Sequence, residues 1–197
     1  MGQRLNIEIK KKGKVLANSY YHWSAYTSSA AALTVQVCKY VLEHKDLSDS
    51  KLLAIRALES TGAGLTDDEL TYAKDFRKYI KTVFRECKGR NEGLIAISPK
   101  GIKETQTWSE GDVIIDIDDA LHPLISFHVF NFYDQPDEYI KDWLETPEEI
   151  KQFKDNLVKI PFNEVGMGFS EFSTMLHYIK DDKFIVTPEG YMLSSIE

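Results

Sequence analysis

The sequence predicts an α+β fold, in which a mainly antiparallel sheet packs with helices in a single domain over residues 1–197. Two observations support the strands. Apolar and polar residues alternate in an N-terminal hairpin at 1–22, and the same period of two returns over 93–133. A third observation supports the helices, because apolar residues recur at helical spacing over 27–87 and over 137–180.

The first element is a predicted β-hairpin. Leu5, Ile7 and Ile9 alternate with polar residues, as in a strand that buries one face. Lys12-Gly13 supplies the turn, because glycine tolerates a positive φ angle, and the chain returns over 15–21. A turn centred there sets the following pairs: Ile9 with Leu16, Ile7 with Asn18, Leu5 with Tyr20, and Gln3 with His22.

Three helices are predicted to follow the hairpin. The first covers about 27–44, and the second covers 50–59 and ends before the breaker run Gly62-Ala63-Gly64. The third begins at Thr66-Asp67-Asp68-Glu69, which has the pattern of a capping box. Its apolar stripe extends to Cys87, so we expect a long amphipathic helix.

From Gly93 onward the pattern indicates an antiparallel meander of four strands, at 94–98, 103–108, 112–117 and 124–133. The separators are short and carry Pro or Gly, so we expect no crossover helices between these strands. In the tail, Thr146 and Pro147 begin a predicted helix, and a further helix surrounds Phe172. A short last strand is predicted at 184–186.

Composition excludes several classes of function. Lys and Arg number 24 against 31 for Asp and Glu, a net charge of −7, which argues against wrapping a nucleic acid polymer. No run approaches the roughly 18 apolar residues of a membrane span, and no signal peptide is recognisable. Cys38 and Cys87 are too few for a disulfide scaffold or a cysteine-ligated zinc site. We therefore expect a cytoplasmic protein without a membrane partner.

The densest group of candidate binding residues lies where the hairpin meets the first helix. Aromatic faces, hydroxyl and imidazole groups, and the free N–H groups of a helix N-terminus could together hold a phosphorylated or aromatic small molecule. Arg4 lies at the same end of the hairpin, and a second arginine precedes the strand at Gly93; either guanidinium can meet a phosphate. The predicted ligand-binding residues are Arg4, His22, Trp23, Ser24, Tyr26, Thr27, Arg90 and Asn91.

An alternative interpretation of this junction is structural. The aromatic residues would then fill the seam beneath the first helix, and Ser24 or Thr27 would be a plain N-cap. The basic run between Lys74 and Arg90 is also explained in large part by a solvated helix face.

The sequence predicts no catalytic residues, metal or cofactor. His22 lies close to Ser24, but this spacing does not set a nucleophile–base pair, and no acid partner is placed by the sequence. Acidic residues around His122 resemble material for a metal site, without a metal-binding motif. A polar strand face and an Asp-rich turn explain these acids, which are Asp112, Asp116, Asp118 and Asp119.

Several segments resemble a family of small, uncharacterised phage and prophage proteins of Gram-positive bacteria. The resemblance extends to about Ile117 and is carried by Met1–Ile7 (MGQRLNI), Tyr20–Tyr26 (YYHWSAY), Ala63-Gly64, Arg90–Ile95 (RNEGLI) and Gly111–Asp116 (GDVIID). Phage accessory genes of this size often encode counter-defence proteins. One class of these, the sponges, binds nucleotide-derived immune signals without cleaving them. By analogy, the resemblance implies a viral protein of this kind in the cytoplasm of a bacterial host cell.

The sequence therefore favours a non-enzymatic protein that binds and sequesters a small anionic, nucleotide-like molecule. A homo-oligomer could complete the pocket, although the sequence does not fix the oligomeric state. One alternative is an enzyme that degrades such a signal, with His22 as general acid or base. Another is an inhibitor of a host defence protein that docks through the acidic segment 134–155, which includes Trp143.

Overall fold

The computed structural model describes residues 4–22, 24–25, 27–75, 93–107, 109–129, 146–148, 151, 166–173, 185–186 and 192–193. The strands in chain order are β1 (Leu5–Lys11), β2 (Lys14–Tyr21), β3 (Gly64–Leu65), β4 (Leu94–Ala96), β5 (Gly111–Asp116), β6 (Leu124–His128), β7 (Met167–Gly168), β8 (Ile185–Val186) and β9 (Met192–Leu193). The helices are α1 (Thr27–Glu43), α2 (Ser50–Glu59), α3 (Asp67–Asp75) and α4 (Pro99–Gln106).

The α+β class and the mainly antiparallel sheet are confirmed. Seven strands form one sheet in the order β3-β4-β2-β1-β5-β6-β7, and β8 pairs with β9 in a separate ribbon. Two neighbouring pairs are parallel, β1 with β5 and β3 with β4, and the other pairs of the large sheet are antiparallel. The N-terminal strand therefore lies in the middle of the sheet.

The predicted strand at 103–108 is wrong, because α4 occupies most of this segment. Ser98 is the N-cap of α4, with its side chain accepting a hydrogen bond from the Gly101 N–H, and Pro99 fits the first helical turn. This start signal outweighs the weak alternation that follows it. The four-strand meander is therefore interrupted, and α4 connects β4 to β5 across the two strands of the hairpin.

The hairpin is confirmed, but its register changes at a β-bulge. Next to the turn, Lys10 pairs with Val15, which is the register of the predicted turn, and Gly13 has a φ of 69°. Beyond the bulge the predicted partners are wrong by one residue, because Leu16 is an extra residue on β2. The observed pairs are Ile9 with Ala17, Ile7 with Ser19, and Leu5 with Tyr21. The shift exchanges the sheet faces of Tyr20 and Tyr21.

The two faces of the sheet differ in polarity. One face is apolar, and its side chains form a buried core with residues of α1 and α2; they include Leu5, Ile7, Ile9, Val113, Ile115, Ile125 and Phe127. The opposite face, here called the polar face, carries Asn6, Glu8, Asn18, Tyr20, Asp112, Ser126 and His128. Helix α4 lies on the polar face and contains no buried residue. Hydrogen bonds between polar side chains of the sheet and α4 therefore attach this helix to the polar face.

The helical predictions agree with the structure where it describes them. Helices α1 and α2 match the predicted bounds to within about one residue. The predicted cap of α3 is confirmed, since the Glu69 N–H donates to the Thr66 hydroxyl over 3.3 Å. The continuation from Phe76 to Cys87 lies outside the described residues, as does most of the predicted tail helices. The predicted last strand is confirmed by β8.

None of the helices within the described ranges is long and apolar enough to cross a membrane.

Candidate functional site

Two of the predicted site residues, Arg4 and His22, lie at one end of the polar face. Strands β1 and β5 begin at this end and β2 finishes there. Four side chains, here called the rim, belong to it: Arg4, Tyr20, His22 and Glu110. Three come from the hairpin and its flanks, and Glu110 precedes β5.

Arg4 and Glu110 are joined through both backbone and side chains. The Arg4 guanidinium Nη2 is 3.0 Å from Glu110 Oε1, and the Arg4 backbone N–H donates to Oε2 over 2.9 Å. In return, the carbonyl of Arg4 accepts from the backbone N–H groups of Glu110 and Gly111. The side chains are 31% and 38% exposed. The side-chain hydrogen bond lowers the pKa of the Glu110 carboxyl and raises that of the Arg4 guanidinium.

Tyr20 and His22 form a second polar contact at the rim. The Tyr20 hydroxyl lies 3.0 Å from His22 Nδ1, and the two ring centroids are 6.3 Å apart. Burial raises the pKa of the Tyr20 hydroxyl, and the positive charge of Arg4 offsets part of this rise. The hairpin register brings Arg4, which precedes Leu5, to the same end of the hairpin as Tyr20 and the exposed His22, because Leu5 pairs with Tyr21.

The structural interpretation holds for other residues of the same junction. Tyr21 is 2% exposed, and its hydroxyl is 2.6 Å from that of Thr61. Ala25 is fully buried in the core, and a Cβ atom placed on Gly111 would lie 3.3 Å from its methyl group. Ser24 is half-buried beside it. The chain between β2 and α1 thus contributes to the filled core as well as to the rim.

The remaining predicted site residues cannot be assigned to the rim. Thr27 is the first residue of α1, and its side chain is not described. The others lie outside the described residues: Trp23, Tyr26, Arg90 and Asn91. Gly93, which follows the last two, packs so closely on Tyr21 that a Cβ there would be 2.5 Å from the phenol ring.

Sequence reasoning missed a groove on the polar face beside α4. Its volume is about 490 Å³, and its lining comprises Glu8, Lys10, Gln106, Asp112, Ser126 and His128 around Ile114. The sequence showed that Asp112 lies on a polar strand face. It carried no signal that β1 pairs with β5, because their residues are about a hundred positions apart.

Two carboxylates of the groove have different surroundings. Glu8 is 6% exposed; Lys10 Nζ approaches one of its oxygens to 3.0 Å, and the Gln106 amide donates to the other. Asp112 is half-buried, and its Oδ1 accepts a hydrogen bond of 2.6 Å from the Ser109 hydroxyl. Glu8 is therefore fully engaged, whereas Asp112 retains an oxygen that accepts no hydrogen bond from the described residues.

A larger cavity of about 800 Å³ lies among α3, β4 and α4, and the buried side chain of Glu69 lines it. The Glu69 carboxylate accepts hydrogen bonds from the backbone N–H groups of Ile97 and Ser98, over 2.9 and 2.8 Å. It therefore does not complete the capping box within α3, but stabilises the turn that starts α4. This structural role satisfies the carboxylate without a ligand.

The acidic turn after β5 is held by its own hydrogen bonds. Asp116 Oδ1 accepts from the Asp118 N–H over 2.8 Å, and Asp119 Oδ2 lies 2.8 Å from the His122 ring nitrogen. This last contact lowers the pKa of the Asp119 carboxyl. Among the described residues, no three metal-ligating side chains come together.

Comparison with known proteins found no matching family model, no matching curated protein and no matching solved structure. The resemblance to phage proteins stays a hypothesis that is based on the sequence segments alone.

Proposed function

We propose that this protein binds a small anionic, nucleotide-like molecule at the rim and sequesters it without converting it. The observation that supports the proposal is the convergence of Arg4, Tyr20 and His22 at one end of the polar face. A guanidinium offers charge and N–H donors to a phosphate, and phenol and imidazole rings offer faces to a base. These groups are the ones that such a ligand requires.

The position of Arg4 supports anion binding and also limits its strength. The Arg4 backbone N–H holds the Glu110 carboxylate, and this carboxylate accepts a hydrogen bond from the guanidinium, which reduces the conformational freedom that the Arg4 side chain loses when a ligand binds. The same carboxylate neutralises part of the positive charge. A phosphate would share the guanidinium with Glu110, so removal of this negative charge by Glu110→Gln should strengthen binding.

Cys38 is not a candidate nucleophile for an enzyme. This thiol is buried in the core, and burial raises its pKa, so the reactive thiolate is suppressed. The alternative of an enzyme that uses His22 as acid or base becomes an outcome of the experiment below. The acidic segment 134–155, on which the docking alternative depends, falls almost entirely outside the described residues.

The resemblance to phage proteins extends the proposal to the ligand's origin. A counter-defence sponge would capture a nucleotide-derived immune signal of the bacterial host, which is a small, anionic and aromatic molecule. This role requires tight binding and release of the unaltered ligand on denaturation.

The test is calorimetric titration with ADP-ribose and with cyclic dinucleotides, followed by heating and chemical analysis of the released ligand. We expect binding and recovery of intact ligand. Arg4→Met should weaken binding about tenfold or more, because a charge-assisted hydrogen bond is lost. The matched control is Lys14→Met, which removes an exposed positive charge at the opposite end of the hairpin.

Recovery of a cleaved product would replace the sponge with the enzyme. Equal affinities for wild type and Arg4→Met would show that the ligand does not bind at the rim.

A further inference from the structure

We infer that the groove beside α4 binds the vicinal hydroxyl groups of a sugar ring, and that the ligand of the rim is therefore a ribonucleotide. This inference rests on the proposed function, because the groove would receive the ribose of a ligand whose phosphate lies at the rim. It is carried by three features of the groove: a carboxylate oxygen that accepts no hydrogen bond from the described residues, polar side chains around an apolar one, and a position next to the rim.

The available carboxylate belongs to Asp112. Its Oδ1 is held by the Ser109 hydroxyl at 2.6 Å, which restricts the side chain, and its other oxygen accepts no hydrogen bond within the described part of the chain. The same Ser109 hydroxyl lies 2.8 Å from the Gly111 carbonyl, so its single proton is shared between the two acceptors. A carboxylate positioned in this way accepts hydrogen bonds from ribose hydroxyls in many nucleotide-binding proteins.

The other groups of the groove suit a sugar ring. The Ser126 hydroxyl makes no hydrogen bond to the described residues and can donate or accept. Lys10 uses one N–H to reach Glu8 and has further donors, and its side chain is 27% exposed. Ile114 provides an apolar surface among them. A sugar has hydroxyl groups along its edge and C–H groups on its face. The hydroxyl groups match the donors and acceptors of the groove, and the C–H groups match the apolar surface of Ile114.

Glu8 does not act as a second ligand carboxylate. Both of its oxygens are engaged, by Lys10 and Gln106, and it is almost fully buried. Its role is to position Lys10 and to hold the end of α4. With Glu8 engaged in this way, hydroxyl recognition by Asp112 is favoured over binding of a cation between two free carboxylates.

The groove lies next to the rim, two residues further along the strands. Asp112 follows Glu110 by two residues and pairs with Asn6, which follows Arg4 by two residues and also pairs with Tyr20. Two residues of a strand span about 7 Å, which is close to the separation between a phosphate and the ribose hydroxyls of one nucleotide. The volume of about 490 Å³ lies within the range of small-molecule sites.

The experiment compares ADP with 2′,3′-dideoxy-ADP and with free D-ribose, by calorimetric titration of the full chain. We expect ADP to bind about tenfold to a hundredfold more tightly than the dideoxy compound, because hydrogen bonds to a charged group are lost. Asp112→Asn should remove most of this difference. Ser126→Ala, a smaller change, should weaken the binding of ADP and leave that of dideoxy-ADP unchanged.

The matched control is Asp116→Asn, on the same strand and the same face but outside the groove; it should preserve the preference for ADP. Equal binding of ADP and dideoxy-ADP overturns the inference and leaves the proposed function intact. Ribose that binds as tightly as ADP overturns the link between groove and rim. Binding of neither nucleotide at about 1 mM contradicts the inference, and it contradicts the proposed function as well if ADP-ribose and the cyclic dinucleotides also fail to bind.

Discussion

Arg4 and Glu110 are each held by the backbone of the other as well as by its side chain. Such mutual contacts fix a charged pair even though about a third of each side chain is exposed. An ordinary exposed pair has no such support; Lys100 and Glu104 are 84% and 63% exposed and 3.7 Å apart. At the residue scale, the rim is therefore more rigid than its exposure suggests.

The Arg4–Glu110 pair should make stability depend on acidic pH. The folded-state pKa of Glu110 is lowered from 4.5, so the pair stabilises the fold above that value and ceases to do so as pH falls through the lower folded-state value. We expect Arg4→Met to raise the pKa of Glu110 in a carboxyl NMR titration. The difference in the free energy of unfolding between wild type and Arg4→Met should then shrink in acid.

The control for this prediction is Lys100→Met, which breaks the weaker pair on α4 and should change the acid profile little. A wild type-to-variant difference that stays constant between neutral and acidic pH would contradict the assignment of Glu110.

The residues of the site were predictable only where local sequence determines their position. Arg4 and His22 flank one hairpin, so the turn alone brings them together. The face of Tyr20 was not predictable, because the bulge at Leu16 has no distinctive residue pattern. Glu110 was missed because its contact with Arg4 spans 106 positions of the sequence.

At the scale of elements, α4 is attached to the sheet by polar side chains. Thr105 accepts from two buried asparagines of the hairpin: its carbonyl from Asn6 over 3.1 Å, and its hydroxyl from Asn18 over 2.7 Å. Neither amide oxygen of these asparagines has a partner within the described residues. The attachment therefore depends on a few hydrogen bonds, and each one matters.

Thr105→Val should destabilise the protein by about 1–3 kcal/mol, because valine has nearly the same shape but leaves the buried amide of Asn18 without its acceptor. Chemical denaturation measures the change in the free energy of unfolding. The matched control is Thr107→Val in the exposed C-cap of α4, which should change stability by less than about 0.5 kcal/mol. Equal effects of the two substitutions would show that hydrogen bonding does not hold α4.

Helix α4 was predictable from its own sequence. Ser98 and Pro99 are a standard helix start, and the strand interpretation gave too much weight to a polar alternation that lacks apolar partners. The position of α4 could not be predicted from local sequence. The carboxylate that stabilises the turn at its start belongs to Glu69, which lies in α3.

At the scale of the molecule, the sheet separates two environments. Its apolar face forms the core with α1 and α2, and its polar face carries α4, the groove and the rim. Residue periodicity predicted the α+β class, because it reports which residues are buried locally. Strand order was not predictable, because the parallel pairing of β1 with β5 leaves no trace in either segment.

Amide hydrogen exchange should be slower in the sheet than in the helix on its polar face. Amides of β1 should exchange slowest, because this strand is paired on both sides and its apolar side chains are fully buried. Amides of α4 should exchange much faster, because the helix has no buried residue. Exchange measured by mass spectrometry on the full chain tests both expectations. Protection of α4 equal to that of β1 would contradict the expectation that α4 opens separately from the sheet.

The central position of β1 also has a consequence for biosynthesis. When the hairpin leaves the ribosome, the strand that will cover the other side of β1 lies about a hundred residues away and is not yet made. Until it arrives, a row of unpaired peptide groups and an apolar surface are open to other nascent chains. Expression of this protein should therefore depend on chaperones that shield unfinished chains, and truncations that end before Gly111 should accumulate as inclusion bodies.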